Sequence, residues 1–201
     1  MGTARIARVR LLAPLSVVVM LAFAAAGCGG GGSSSSASGT KPETWSATVC
    51  GALQTWEDDL KSGSDQLTSD IRSSRNLKSV KRKLIAFLQN AEQSTETMVG
   101  HVKGAGAPAV KDGPAIQRDL ESGLTGAGTS FQRAVKQAKK LPTDNPQALT
   151  MGLATLAQKI QSELNATGQR FSNLETKYDL GDLNSAMADE PACKPFVSSS
   201  G

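Results

Sequence analysis

The sequence predicts an all-α protein, an antiparallel up-down-up-down four-helix bundle closed by a short C-terminal helix, and three observations predict it. From Thr40 onward, apolar residues recur at steps of three and four through four long segments. The connections between those segments are brief and rich in turn-forming residues. No stretch shows the alternation of apolar and polar residues, with turn punctuation, that marks a strand. Long amphipathic helices on short connections pack most simply as neighbours of opposite direction.

Each element follows from its own residues. Thr40-Lys41-Pro42-Glu43 has the spacing of a capping box, in which Glu43 reaches back to Thr40. The first apolar stripe then runs Trp45, Val49, Ala52, Leu53, Trp56, Leu60, Leu67 and Ile71, with Gly63-Ser64 as the place where the helix is expected to bend. Ser73 to Asn76 reads as a turn. The second stripe is Leu77, Val80, Leu84, Phe87, Leu88, Ala91, Thr95, Met98 and Val102, and Lys103 to Gly113, with Gly104, Gly106 and Pro108, reads as a loop. Pro114 suits a first helical position, because proline lacks the N–H that such a position leaves unpaired. The third stripe runs from Ile116 through Leu120, Leu124, Phe131 and Val135 to Leu141. Asn145 is placed to cap a fourth helix opened by Pro146, whose stripe runs Leu149, Leu153, Leu156, Ile160, Leu164, Thr167, Phe171, Leu174 and Tyr178. A short helix over Asp182 to Ala188 precedes Pro191.

Residues 1–27 have the three parts of an export signal: Arg5, Arg8 and Arg10, then an apolar run from Leu11 to Ala26, then small residues before Cys28. In Ala25-Ala26-Gly27-Cys28 the chain resembles the bacterial lipoproteins, whose lipobox ends in a cysteine; the consensus leucine three residues before that cysteine is Ala25 here. The resemblance implies that the signal is removed and that Cys28 becomes a lipidated N-terminus, carrying diacylglycerol and a palmitate-type acyl chain. The protein is then expected on the extracytoplasmic face of the cell membrane, held there by lipid. An uncleaved membrane helix is the alternative, and the Gly/Ser tract that follows at once, with no flanking Lys or Arg, argues against it. Residues 28–39 are the lipidated cysteine and a flexible tether with an end-to-end distance of about 20 Å. Residues 40–197 form the helical domain, and 198–201 are expected to be a disordered tail.

With Cys28 committed to lipid, Cys50 and Cys193 remain, an even pair in an oxidising compartment. One disulfide between them is the expectation. An even number of helices returns the chain to the end where it began, so this pairing is an independent check on the bundle. A metal or catalytic thiol is the alternative, but no second Cys or His lies near either residue in the sequence.

Charge follows the same division. The chain has 22 Lys and Arg against 18 Asp and Glu. Three of the arginines and none of the acids lie in the signal, which leaves 19 against 18 after cleavage. That near-neutral balance removes the ground for a nucleic-acid-binding reading.

No metalloprotease, nucleophile-elbow or phosphate-loop motif is present, and no paired metal-ligand spacing. The sequence therefore points away from an enzyme, and no cofactor or metal is expected. His101, the one histidine, sits near a helix end and reads as a solvent-facing residue. Two features stand out. Ser122 to Ser130 holds Gly123, Gly126 and Gly128 inside the third helix, where glycine costs about 1 kcal/mol relative to alanine. Close helix packing is the leading explanation, with local flexibility or a ligand-lined hollow as alternatives. The second feature is a basic tip. In an up-down bundle Arg72, Arg75, Lys78, Lys81, Arg82 and Lys83 fall at the same end as Arg133, Lys136, Lys139 and Lys140, while Asp179, Asp182, Asp189 and Glu190 fall at the other. Cations at helix C-termini are favourable in themselves, but Lys78 to Lys83 open a helix, where the dipole disfavours them. The expectation is a non-catalytic binding or structural module of the cell envelope that contacts an anionic partner, a cell-wall polymer or an acidic protein surface, through this tip. A carrier of a lipid or other apolar ligand within the bundle is the alternative.

Overall fold

A computed structural model of the chain describes residues 38–197. The export signal, Cys28 and the tether as far as residue 37 lie outside the described residues, as does the tail from residue 198.

Four long helices form the body: α1 (Pro42–Ser73), α2 (Leu77–Ala105), α3 (Gly113–Ala138) and α4 (Pro146–Lys177). A short α5 (Gly181–Asp189), a 3₁₀ turn (Pro191–Cys193) and a last turn of helix, α6 (Lys194–Val197), complete the chain. At 1.5 Å per residue the long helices span about 40–48 Å. Asn145 caps α4 where the sequence places it, Pro114 stands one residue inside α3 rather than at its first position, and Asn76, read only as part of a turn, caps α2. The Asn76 side chain accepts from the Ser79 amide at 2.9 Å, and Asn145 accepts from Gln147 and Ala148 at 2.9 and 3.2 Å. Gly106, with φ at +70°, ends α2 in a conformation that favours glycine.

One local expectation is corrected. The capping box at Thr40 does not form: Lys41 occupies the cap position of α1 and no side chain caps it. The Thr40 hydroxyl donates instead to the Ala105 carbonyl at 2.5 Å. Its backbone pairs with the α2–α3 loop, Thr40 N–H to Ala107 O at 2.8 Å and Ala109 N–H to Thr40 O at 2.7 Å. α1 runs without a break through Gly63. A Cβ at Gly63 would stand 3.2 Å from the Phe87 ring, so the glycine makes room for that ring.

Successive helices pack antiparallel, α1 on α2, α2 on α3 and α3 on α4, and α5 and the 3₁₀ turn lie back on α1. α1 and α4 do not approach each other closely along the seam that would complete the ring. Burial reflects this serial arrangement. The buried residues of α1 are all in its first eleven, Trp45 to Ala52, whereas those of α3 run its full length. In α4 only Leu149 and Leu156 are buried among the described hydrophobic side chains, and Met151 is 65% exposed.

The core has three parts. Near the start, Trp45, Val49, Met98, Val102, Ile116, Leu120, Leu124 and Leu183 pack together. Within that cluster the Trp45 indole donates to Gly106 O and to Gln117 Oε1, both at 3.0 Å, and the buried Gln117 amide donates to Val102 O at 2.7 Å. At the far end Leu84, Leu88, Phe131, Val135, Leu141, Leu149 and Leu156 gather residues from α2, α3, α4 and the α3–α4 connection. The third cluster is the Cys50–Cys193 disulfide with Met187 and Phe196. Its two Cα atoms are 5.0 Å apart across a sequence separation of 143 residues, and both cysteines are wholly buried.

The glycine-rich stretch of α3 is packed. A Cβ at Gly128 would meet the Thr95 methyl of α2 at 3.6 Å, and one at Gly126 would meet the Arg170 guanidinium of α4 at 3.3 Å. Gly123, Ala127 and Ser130 are buried alongside. Small residues here let α2 and α4 approach the same stretch of α3.

Candidate functional site

The basic tip is built by helix ends. α1 finishes with Arg72, the turn carries Arg75, α2 opens with Lys78 to Lys83, α3 carries Lys136 in its last turn, and Lys139 and Lys140 follow it directly. Leu77, Val80 and Leu141 pack into the same distal cluster, so these ends are held side by side.

The structure divides the predicted patch. Lys81 is half-buried and its ammonium donates to the Leu141 carbonyl at 2.8 Å, on the connection that follows α3. That bond explains a cation where the α2 dipole disfavours one, because it satisfies a carbonyl beyond a helix C-terminus. Lys83 pairs with Asp70 at 3.2 Å, joining the end of α1 to α2. Both therefore have partners within the fold. Arg133, beside the patch, pairs with Glu163 of α4 at 3.0 Å. Among the described residues, Arg72, Arg75, Lys78, Arg82, Lys136, Lys139 and Lys140 are exposed and form no ion pair. α2 and α4 also begin at this end, and α2 has no acidic residue in its first turn. The exposed tip thus combines unpaired cations with two helix N-termini, and Asp144 is the acid in its α3–α4 connection.

At the opposite end the acids serve local structure. Asp179 Oδ1 accepts from the Gly181 amide at 3.2 Å, and Glu190 Oε1 accepts from Ala192 at 3.1 Å, capping the 3₁₀ turn. Asp182 and Asp189 are exposed. Asp119 of α3 binds the end of α4, taking bonds from Lys177 Nζ at 2.6 Å and Tyr178 Oη at 2.8 Å. Those two bonds hold its carboxyl below the ordinary carboxylate value.

The chain matches no family model, no curated protein and no solved structure. Its chemistry is therefore read from its own side chains.

A concave region that the sequence does not single out lies between two of the basic tip's helices. Between α1 and α2 a groove of about 360 Å³ is lined by Thr48, Thr55, Trp56 and Asp59 from one helix and Ser94, Thr97, Met98 and His101 from the other. His101 is exposed, as expected, but stands at this groove rather than on an isolated face. Gly51 is the glycine of this groove. It lines the groove, and a Cβ built on it meets nothing within 4 Å. Among the described residues no group of three His, Cys, Asp or Glu side chains comes together to hold a metal ion, and no helix is long and apolar enough to cross a membrane.

Proposed function

We propose that this chain is a lipid-anchored lipoprotein of the extracytoplasmic membrane face. In this reading it is a non-catalytic helical module of the cell envelope whose tip contacts an anionic partner such as a cell-wall polymer. The observation that carries the reading is the set of exposed, unpaired cations contributed by the ends of α1, α2 and α3 to one end of the bundle. The start of the domain at Thr40 lies at the other end, against the α2–α3 loop. A tether attached there points the cations away from the anchor. The lipobox-like Ala25-Ala26-Gly27-Cys28 supports the anchor itself.

The test is retention on purified cell wall at rising salt, since contacts between exposed charges weaken with ionic strength. Neutralising Lys78, Arg82, Lys136 and Lys139 together should abolish retention while leaving the fold intact. Lys81 and Lys83 stay in place because each has a partner in the fold. Unchanged retention by that variant overturns the tip reading. Blocking the lipoprotein signal peptidase, under which the uncleaved precursor should accumulate with diacylglycerol already on Cys28, tests the anchor separately. The carrier alternative draws no support from the glycine-rich stretch, which is filled by Thr95 and Arg170.

A further inference from the structure

We infer that the α1–α2 groove is a binding site for a small alkylammonium ligand, a primary amine or diamine. The inference rests on what the lining groups have left to offer. Three threonines in it spend their O–H donors on the preceding turn: Thr48 to Thr44 O and Thr55 to Gly51 O, both at 2.9 Å, and Thr97 to Gln93 O at 3.0 Å. The Ser94 hydroxyl donates across the groove to Asp59 Oδ2 at 2.6 Å. The Trp56 indole N–H is turned inward to the Thr95 hydroxyl at 2.9 Å, so the ring lines the groove with no donor to offer it. Every hydroxyl in the lining thus presents lone pairs, beside a carboxylate, and no lysine or arginine lines the groove.

Such a surface is selective by subtraction. An anion finds His101 as its one side-chain donor. A sugar or other polyol brings as many acceptors as donors, and its acceptors would face oxygens that have nothing to give them. An ammonium group brings donors alone, and it gains from the Asp59 charge and from the indole ring. Met98 and the Trp56 ring provide apolar surface for the attached methylenes. Gly51 leaves the space open, and the volume lies at the small end of ordinary ligand sites. Asp58 and Glu96 adjoin the lining in sequence and add negative charge near it, with Lys61 on α1 and Lys103 on α2 the nearest cations along the two helices.

The test titrates the full chain, at physiological ionic strength, with butane-1,4-diamine, acetyl-lysine amide, N-acetylglucosamine and inorganic phosphate, following heat and tryptophan emission. Saturable binding of the diamine, with none of the sugar or of phosphate, is expected. Acetyl-lysine amide binding more tightly than the diamine assigns the ammonium to a lysine side chain, and the reverse order assigns it to a free amine. Asp59→Asn should weaken binding about fivefold, the scale of an exposed ion pair. Gly51→Leu should abolish it by filling the groove, with thermal stability held or raised, because the added Cβ meets nothing within 4 Å and a glycine leaves a helix interior. Binding of N-acetylglucosamine in preference to the diamine, or diamine binding that survives Gly51→Leu, overturns the inference.

Discussion

Replacing both Cys50 and Cys193 by alanine removes the covalent link between the third turn of α1 and the end of the fold. The bridge closes a loop across a separation of 143 residues. In the chain-entropy treatment such a closure restricts the unfolded chain by about 5 kcal/mol at 25 °C. Both sulfurs are wholly buried against Met187 and Phe196, so their loss also removes packing and adds to the cost. At roughly 2–4 °C per kcal/mol for a domain of this size, Tm should fall by about 10–20 °C. The assay is thermal and guanidinium unfolding of the oxidised protein and the double-alanine variant, with helicity as the signal. α5, the 3₁₀ turn and α6 rest on α1 and have no close contact with α4. The variant should therefore also gain an early tryptic cut after Lys177 before the long helices are attacked. A Tm drop of less than about 3 °C, with no new cuts, would refute the reasoning that the bridge restrains the whole chain.

Glycine replacements should diverge by site. Gly128→Ala should stabilise by about 1 kcal/mol, since the new methyl makes an ordinary contact at 3.6 Å and removes glycine from a helix interior. Gly152→Ala should destabilise by about 1–2 kcal/mol in the same denaturation assay, because its Cβ would stand 2.5 Å from the Leu141 side chain, which is buried in the distal cluster. Burial raises the carboxyl groups of Glu57 and Glu175 above the ordinary 4.5, Glu57 with a further contribution from Asp58. A raised acid destabilises the fold when ionised and ceases to do so once protonated in both states. Glu57→Gln and Glu175→Gln should therefore raise stability at pH 7, with the gain shrinking as pH falls through the raised folded values and gone below the ordinary 4.5 of the unfolded chain. Equal gains at pH 7 and pH 4 would contradict the burial argument.

The helices were legible because their signals are local. Asn76, Asn145, Pro114 and Pro146 act within a turn of where they stand, and the three-and-four spacing survives without knowledge of any partner. The capping box failed because Thr40 is drawn off α1 by hydrogen bonds to Ala105, 65 residues away, and to the α2–α3 loop, which no window on α1 contains. The tip was legible by parity, since helix ends alternate in an up-down bundle. The roles of Lys81 and Lys83 were not, because one partner is a backbone carbonyl on another connection and the other an acid on the preceding helix. The α1–α2 groove was invisible for a different reason. Thr55, Asp59, Ser94 and Thr97 each look like solvated residues, and only the rotation of two helices about their axes turns them toward a common space.

The serial packing of the helices gives the chain an order of assembly. α1, α2, α3 and α4 are joined by connections of three to seven residues, so each pairing of neighbours closes a short loop at little entropic cost. The clasp of the C-terminal segment on α1 is the long-range exception, and it has nothing to meet until four helices have carried the chain back. The Cys50–Cys193 bond is therefore a covalent record that folding has finished: a chain in which it has formed is one whose last helix has returned to its first.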